Sequence, residues 1–146
     1  MAHVIKIILK WILVCLYIQV VLILLCRPLL VSMENTRADY FMSIGKISLA
    51  ITHYKRVFWV DPNNLYALIW CGYAYEECNQ FNIAQNYYLR AIKYHSNRNE
   101  GYYFLATLYM REHQYKTAKK YFEKAAQYPG SFKNQVQQAN SVIAPH

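Results

Sequence analysis

The chain has 146 residues, of which 55% are hydrophobic and only 16% charged. Its 16 Lys and Arg against 8 Asp and Glu leave a formal net charge of +8. This composition excludes a disordered chain, and the length holds one ordinary domain or a small domain with an anchor. Only Lys6, Lys10 and Arg27 lie within the first thirty residues, so the positive charge belongs mainly to residues 31–146.

The first predicted element is a membrane helix. Residues 11–26 carry no charge and one amide, Gln19. A spanning helix needs about 20 predominantly apolar residues. Val4 to Cys26 supplies them if Lys6 and Lys10 reach toward the headgroups. Arg27-Pro28 is expected to close the run, because proline cannot continue the helix ladder. Residues 1–30 are therefore read as an anchor with its helix over about 4–26. A cleavable signal peptide remains the alternative, since Lys6 and Lys10 also suit a basic leading region. The length of the run argues against cleavage. So does the bulky Leu30 at the nearest candidate site, Leu30-Val31-Ser32. Lys6 and Lys10 before the helix nearly balance Arg27 and Arg37 after it; the short tail tilts the expectation toward a periplasmic or lumenal soluble part.

The rest of the chain repeats. At an offset of 34 residues, Ala38, Gly72 and Ala106 align, as do Phe41, Tyr75 and Tyr109. The same offset aligns Ala50, Ala84 and Ala118; Tyr54, Tyr88 and Phe122; and Val57, Ala91 and Ala125. The copies run over 31–64, 65–98 and 99–132. Each reads as two antiparallel helices, A and B. Small residues let the helices approach, large aromatics fill the space beside them, and the pairs must stack to bury both faces.

On these residues the chain resembles the tetratricopeptide repeat (TPR) family. Tyr102, Leu105, Ala106, Tyr109, Ala118, Phe122 and Ala125 follow its W-x2-L-G-x2-Y…A-x3-F…A pattern. Copy two fits through Leu68, Gly72, Tyr75, Ala84, Tyr88 and Ala91, and departs at Cys71 and Ser96. Copy one has Glu34 and Arg37 where apolar residues are usual, but Gly45, Ala50, Tyr54 and Pro62 fit. The resemblance implies an all-α fold of three tandem helix-turn-helix repeats in a right-handed solenoid, which here would follow the transmembrane helix expected from the apolar run. Residues 133–146 are expected to form a capping helix and tail, with Ser131 as a cap and Phe132, Val136, Ala139 and Ile143 on its apolar face.

By the same resemblance, helices A line a concave groove that holds a peptide or helix of a partner protein. The groove candidates are Asn35, Asp39 and Met42; Tyr66, Ile69, Trp70, Tyr73 and Glu76; and Tyr103, Phe104, Thr107, Met110 and Arg111. Aromatics, Met and Arg are enriched at binding hot spots. One TPR subgroup grips a C-terminal carboxylate with Lys, Asn and Arg. Here those places hold Asn35, Asp39, Trp70, Glu100 and Phe104, so carboxylate capture is disfavoured. Lys55, Arg56, Arg90, Lys93, Lys116, Lys119, Lys120 and Lys124 fall on or after helices B and form a basic outer face. That face suits solvation, anionic lipid or an acidic partner.

No chemistry of catalysis is legible. Cys71 and Cys78 are about 10 Å apart along one helix, too far for a disulfide, and Cys15 and Cys26 belong to the anchor. His3, His53, His95, His113 and His146 show no metal spacing, and no phosphate loop or nucleophile elbow occurs. No cofactor and no enzymatic activity are expected. The expected role is a membrane-anchored scaffold for an assembly or stabilising step in a membrane protein complex, with a membrane-embedded or juxtamembrane protein partner and the bilayer contacted through residues 4–26. Two alternatives stand beside it: a secreted or periplasmic repeat protein released by cleavage, acting as effector or chaperone, and a lipid or nucleic-acid binder acting through the basic face. Nucleic acid is disfavoured because the aromatics lie in the groove rather than among the lysines.

Overall fold

A computed structural model describes residues 2–143, with side chains over 5–139 and at 141. Met1, residues 144–146 with the end of the expected tail and His146, and the side chains of His3, Val4 and Ile143 lie outside the described residues. Among the described residues the chain is all-helical. Its helices are α1 (Ala2–Ser43), α2 (Ile47–Val60), α3 (Leu65–Glu77), α4 (Phe81–Tyr94), α5 (Glu100–Arg111), α6 (Tyr115–Ala126) and α7 (Lys133–Ile143). The end of α1 pairs with α2, α3 with α4 and α5 with α6, and each hairpin packs on the next. Contacts of α1 with α3 and of α3 with α5 make an inner layer of helices A, and α7 closes on α6. The result is the helical-hairpin solenoid that the repeat predicts.

The small-residue columns are the seams. Ala38, Ala50, Ala84, Ala106, Ala118 and Ala125 are fully buried. Tyr54, Tyr88 and Phe122 pack beside them in successive core clusters. Gly72 replaces alanine in this column because the Tyr88 ring comes so close; a Cβ there would meet it at 2.6 Å.

Each A-to-B turn uses one device. Gly45, Asn79 and His113 all have left-handed backbone, with φ of 72°, 57° and 60°. The next residue, Lys46, Gln80 or Gln114, donates its N–H to the carbonyl of Phe41, Tyr75 or Tyr109 at 2.8–2.9 Å. Gly45, Asn79 and His113 donate theirs three residues back, at 2.9–3.1 Å. This is the Schellman closure, which satisfies the last carbonyls of a helix and reverses the chain.

Two expectations are corrected. Pro28 does not end the first helix; it lies inside α1, which continues to Ser43. The ring still removes the N–H that the Leu24 carbonyl would accept. Ala38 and Phe41, packed with Ala50 and Tyr54, hold the following turns helical. Tertiary packing overrides local propensity here, and the apolar run and the first helix A become one rod without a linker. Ile5–Ser43 is long and apolar enough to cross a membrane. The second correction concerns Ser131. Its N–H and hydroxyl both donate to Glu100 at 3.1 and 3.2 Å, so it ties the tail to α5 instead of capping α7.

Candidate partner-binding groove

Three adjoining clefts open along the inner layer, and Tyr66 borders all of them. The first, about 700 Å³, lies between α1, the end of α2 and the start of α3, among Arg27, Ser32, Asn35, Asp39 and Asn64. The second, about 510 Å³, is walled by Asp39, Met42, Tyr54, Tyr66, Trp70 and Tyr73. The third, about 390 Å³, lies between Tyr66, Ile69 and Trp70 on α3 and Arg98, Glu100 and Phe132.

The start of α3 is set by Asn64, whose side chain accepts the Ala67 N–H at 3.0 Å, satisfying a donor that the first helical turn leaves free. From that turn an aromatic ledge runs up α3. Tyr66 and Trp70 have centroids 5.9 Å apart, and Trp70 meets Tyr73 edge-on at 5.7 Å. Phe104 of α5 lies 5.9 Å from Trp70 and 6.3 Å from Tyr73. Edge-to-face packing of this kind fixes ring positions before any ligand arrives.

The acids of the inner layer are tied into the frame. Both oxygens of Asp39 accept from tyrosines, Tyr54 at 2.6 Å and Tyr66 at 2.7 Å. Asp39 thereby joins α1, α2 and α3. Burial, and then the bond to Asp39, pushes both phenol pKa values well above their ordinary value. Glu76 is 3% exposed and accepts from Tyr88 at 2.8 Å and from Arg111 at 2.9 Å. Arg111 also reaches Glu77 at 3.3 Å, which links the second and third hairpins. Glu100 accepts from Arg98 at 2.6 Å as well as from Ser131.

The sequence candidates thus divide by placement. Asp39, Met42, Tyr66, Trp70 and Tyr73 line the second cleft together, and Asn35 lies in the first. Ile69 is 2% and Phe104 7% exposed; they support the ledge from beneath. Glu76, buried, and Arg111, exposed, form the ion pair just described. Tyr103 and Phe104 are covered by Phe132, which stacks on Tyr103 at 4.8 Å and meets Phe104 edge-on at 5.0 Å. Thr107 and Met110 are half-buried farther along α5, outside the three clefts. Sequence reasoning assigned Phe132 to the tail's own apolar face and did not see that it closes the third-repeat end of the groove. Its position two residues after Gly130, just past the Pro129-Gly130 turn, is the signal that could have shown this.

On the outer side, Lys55, Arg56, Lys93, Lys116, Lys120 and Lys124 are exposed, while Arg90 and Lys119 are half-buried. Several are engaged. Lys55 lies over Tyr75 at 5.3 Å, Lys93 over Tyr94 at 5.4 Å and Lys124 over Tyr121 at 5.8 Å. Arg90 lies 5.3 Å over Phe58 and donates to the Pro62 carbonyl. Arg56 is 3.9 Å from Glu34. Part of the positive charge therefore braces the hairpins through their aromatic neighbours.

The arrangement defines a class. The family model of the tetratricopeptide repeat matches residues 65–97 and 100–130, and the chain carries tetratricopeptide repeats. The hairpin of α2 and the end of α1 falls outside the matched segments but stacks on them in the same geometry. Solved structures share the fold. The first TPR domain of human RPAP3 superposes with a TM-score of 0.69 at 19% identity, over 80% of this chain and 91% of that one. The TPR2B domain of yeast Sti1, in complex with an Hsp70 peptide, gives 0.69 at 16% identity, over 80% and 97%. MamA gives 0.63 at 19%, over 78% of this chain and 62% of that one. No curated protein matches the chain in sequence.

Proposed function

We propose that this protein is a membrane-anchored TPR scaffold that holds a segment of a partner protein against Tyr66, Trp70 and Tyr73. Its role would be to assemble or stabilise a membrane protein complex. The observation that carries the reading is the cleft bordered by those three aromatics and Asp39 and Met42, built on a helix continuous with the apolar run. In support, solved TPR structures of the same fold contain bound peptides: a TPR domain of RPAP3 with the HSP90 peptide SRMEEVD, and another with the HSP70 peptide SGPTIEEVD. Those peptides are acidic. Here Asp39 and Glu100 border the clefts, so the fitting segment is an apolar or helical one without an acidic end. The chain divides on this reading into an anchor over 1–30, repeats over 31–132 and a cap over 133–146. The repeats stand on the periplasmic or lumenal side, beside a juxtamembrane or membrane-embedded partner. The role requires no cofactor and no catalysis.

The test is co-purification from membranes in mild detergent. Trp70→Ala should lose the partner while helix content and melting stay close to wild type. Phe104→Ala is a poorer probe, because emptying a buried aromatic site costs about 3–5 kcal/mol. If Trp70→Ala and Tyr73→Ala retain the same proteins as wild type, the groove does not bind them.

A further inference from the structure

Trp59 is the most exposed large apolar residue of the described chain, at 89%. Among the described residues its ring meets no other ring and its indole N–H has no partner. A tryptophan left bare in this way costs solubility in water, whereas the boundary between headgroups and acyl chains accommodates both its apolar body and its polar edge. Its height above the apolar run follows from the pairing of α1 with α2. Glu34 meets His53 at 2.7 Å and Arg56 at 3.9 Å, and Arg27 donates to the Val60 carbonyl. In this antiparallel register Trp59 is level with residues 28–31 of α1. At about 1.5 Å per residue, that is about 3–8 Å beyond Cys26. The headgroup layer on each side of a bilayer is about 5–8 Å deep. Leu29, Leu30 and Met33 are also exposed on α1 at this level, and Arg27 and Arg56 flank it with positive charge suited to anionic headgroups.

We propose that the foot of the first hairpin, centred on Trp59, docks into the headgroup region of the bilayer that α1 crosses. The proposal rests on the reading of α1 as a membrane span. Trp59 then acts as a second contact beside the span, and the hydrogen bond from Arg27 to the end of α2 holds it at the level of the headgroups. Two contacts restrict the tilt of the first hairpin, and with it the direction in which the groove opens above the membrane.

Brominated lipids test this. The full chain is reconstituted in phosphatidylcholine–phosphatidylglycerol vesicles brominated either near the headgroup or near the acyl-chain end, and tryptophan quenching is read for wild type, Trp59→Phe and Trp11→Phe. Trp59 touches no core residue, so Trp59→Phe should leave the helix content unchanged. The expected result is that Trp59→Phe removes the larger part of the shallow quenching, while Trp11→Phe removes the deep quenching. Loss of deep quenching in Trp11→Phe with no change in Trp59→Phe overturns the docking and leaves the span standing. No deep quenching from Trp11 at all overturns the span, and the docking with it. Aqueous iodide gives an independent readout: it should quench the Trp59 component less in vesicles than in detergent, and equal quenching in both counts against docking.

Discussion

Gly45, Asn79 and His113 occupy the same left-handed position in successive hairpins. Only Gly45 is free of the steric cost that an L side chain incurs there, about 1–2 kcal/mol. A Cβ at Gly45 would meet nothing within 4 Å, so Gly45→Ala isolates the backbone term. It should lower stability by about 1 kcal/mol in chemical denaturation; an unchanged midpoint would show that the turn is not left-handed. Glu100 gives a second residue-level prediction. Burial alone raises its carboxyl pKa, but the Arg98 guanidinium and the donors of its own backbone and Ser131 outweigh burial and leave it below the ordinary 4.5. A group with a lowered folded pKa adds stability above its unfolded value and loses it as pH falls through the folded one. The wild type should therefore lose melting temperature on acidification through and below the ordinary carboxyl range. Glu100→Gln should start lower at neutral pH and fall less. Parallel acid limbs for the two proteins would remove Glu100 from the account.

At the scale of elements, five residue columns sufficed to read three hairpins, because close packing demands small residues opposite large ones at fixed intervals. The left-handed turn positions obey the same offset, but Asn79 and His113 do not announce themselves as Gly45 does. The length of α1 was not legible. Pro28 is a local stop signal, and only the packing of Ala38 and Phe41 on α2 shows that the helix passes through it. Interior proline costs about 3 kcal/mol relative to alanine. Pro28→Ala should accordingly raise the melting temperature in detergent; a lower value would indicate that α1 breaks at this residue. The groove was legible in part. Tyr66, Trp70 and Tyr73 share the face that the helical period assigns them. Glu76 and Arg111 share it too, yet they are consumed by the Tyr88 bond and the link between hairpins. Pairing of that kind depends on partners 12 to 35 residues away, which a helical period does not reveal.

The whole molecule is polarised along one rod. Its apolar end can cross a bilayer, and its other end is the first wall of an aromatic groove. The inner acids tie the helices together, while lysines cover the outer side, several of them resting on aromatic rings. The central claim is that the inner groove, and not the basic outer face, holds the partner. Site-specific photo-crosslinking in native membranes tests it most directly, with the crosslinker placed at Tyr73 in the groove or at Lys120 on the outer face. The account predicts a discrete crosslinked protein from position 73, lost on addition of Trp70→Ala, and none of that protein from position 120. A product from position 120 alone, or one from position 73 that survives Trp70→Ala, would contradict it.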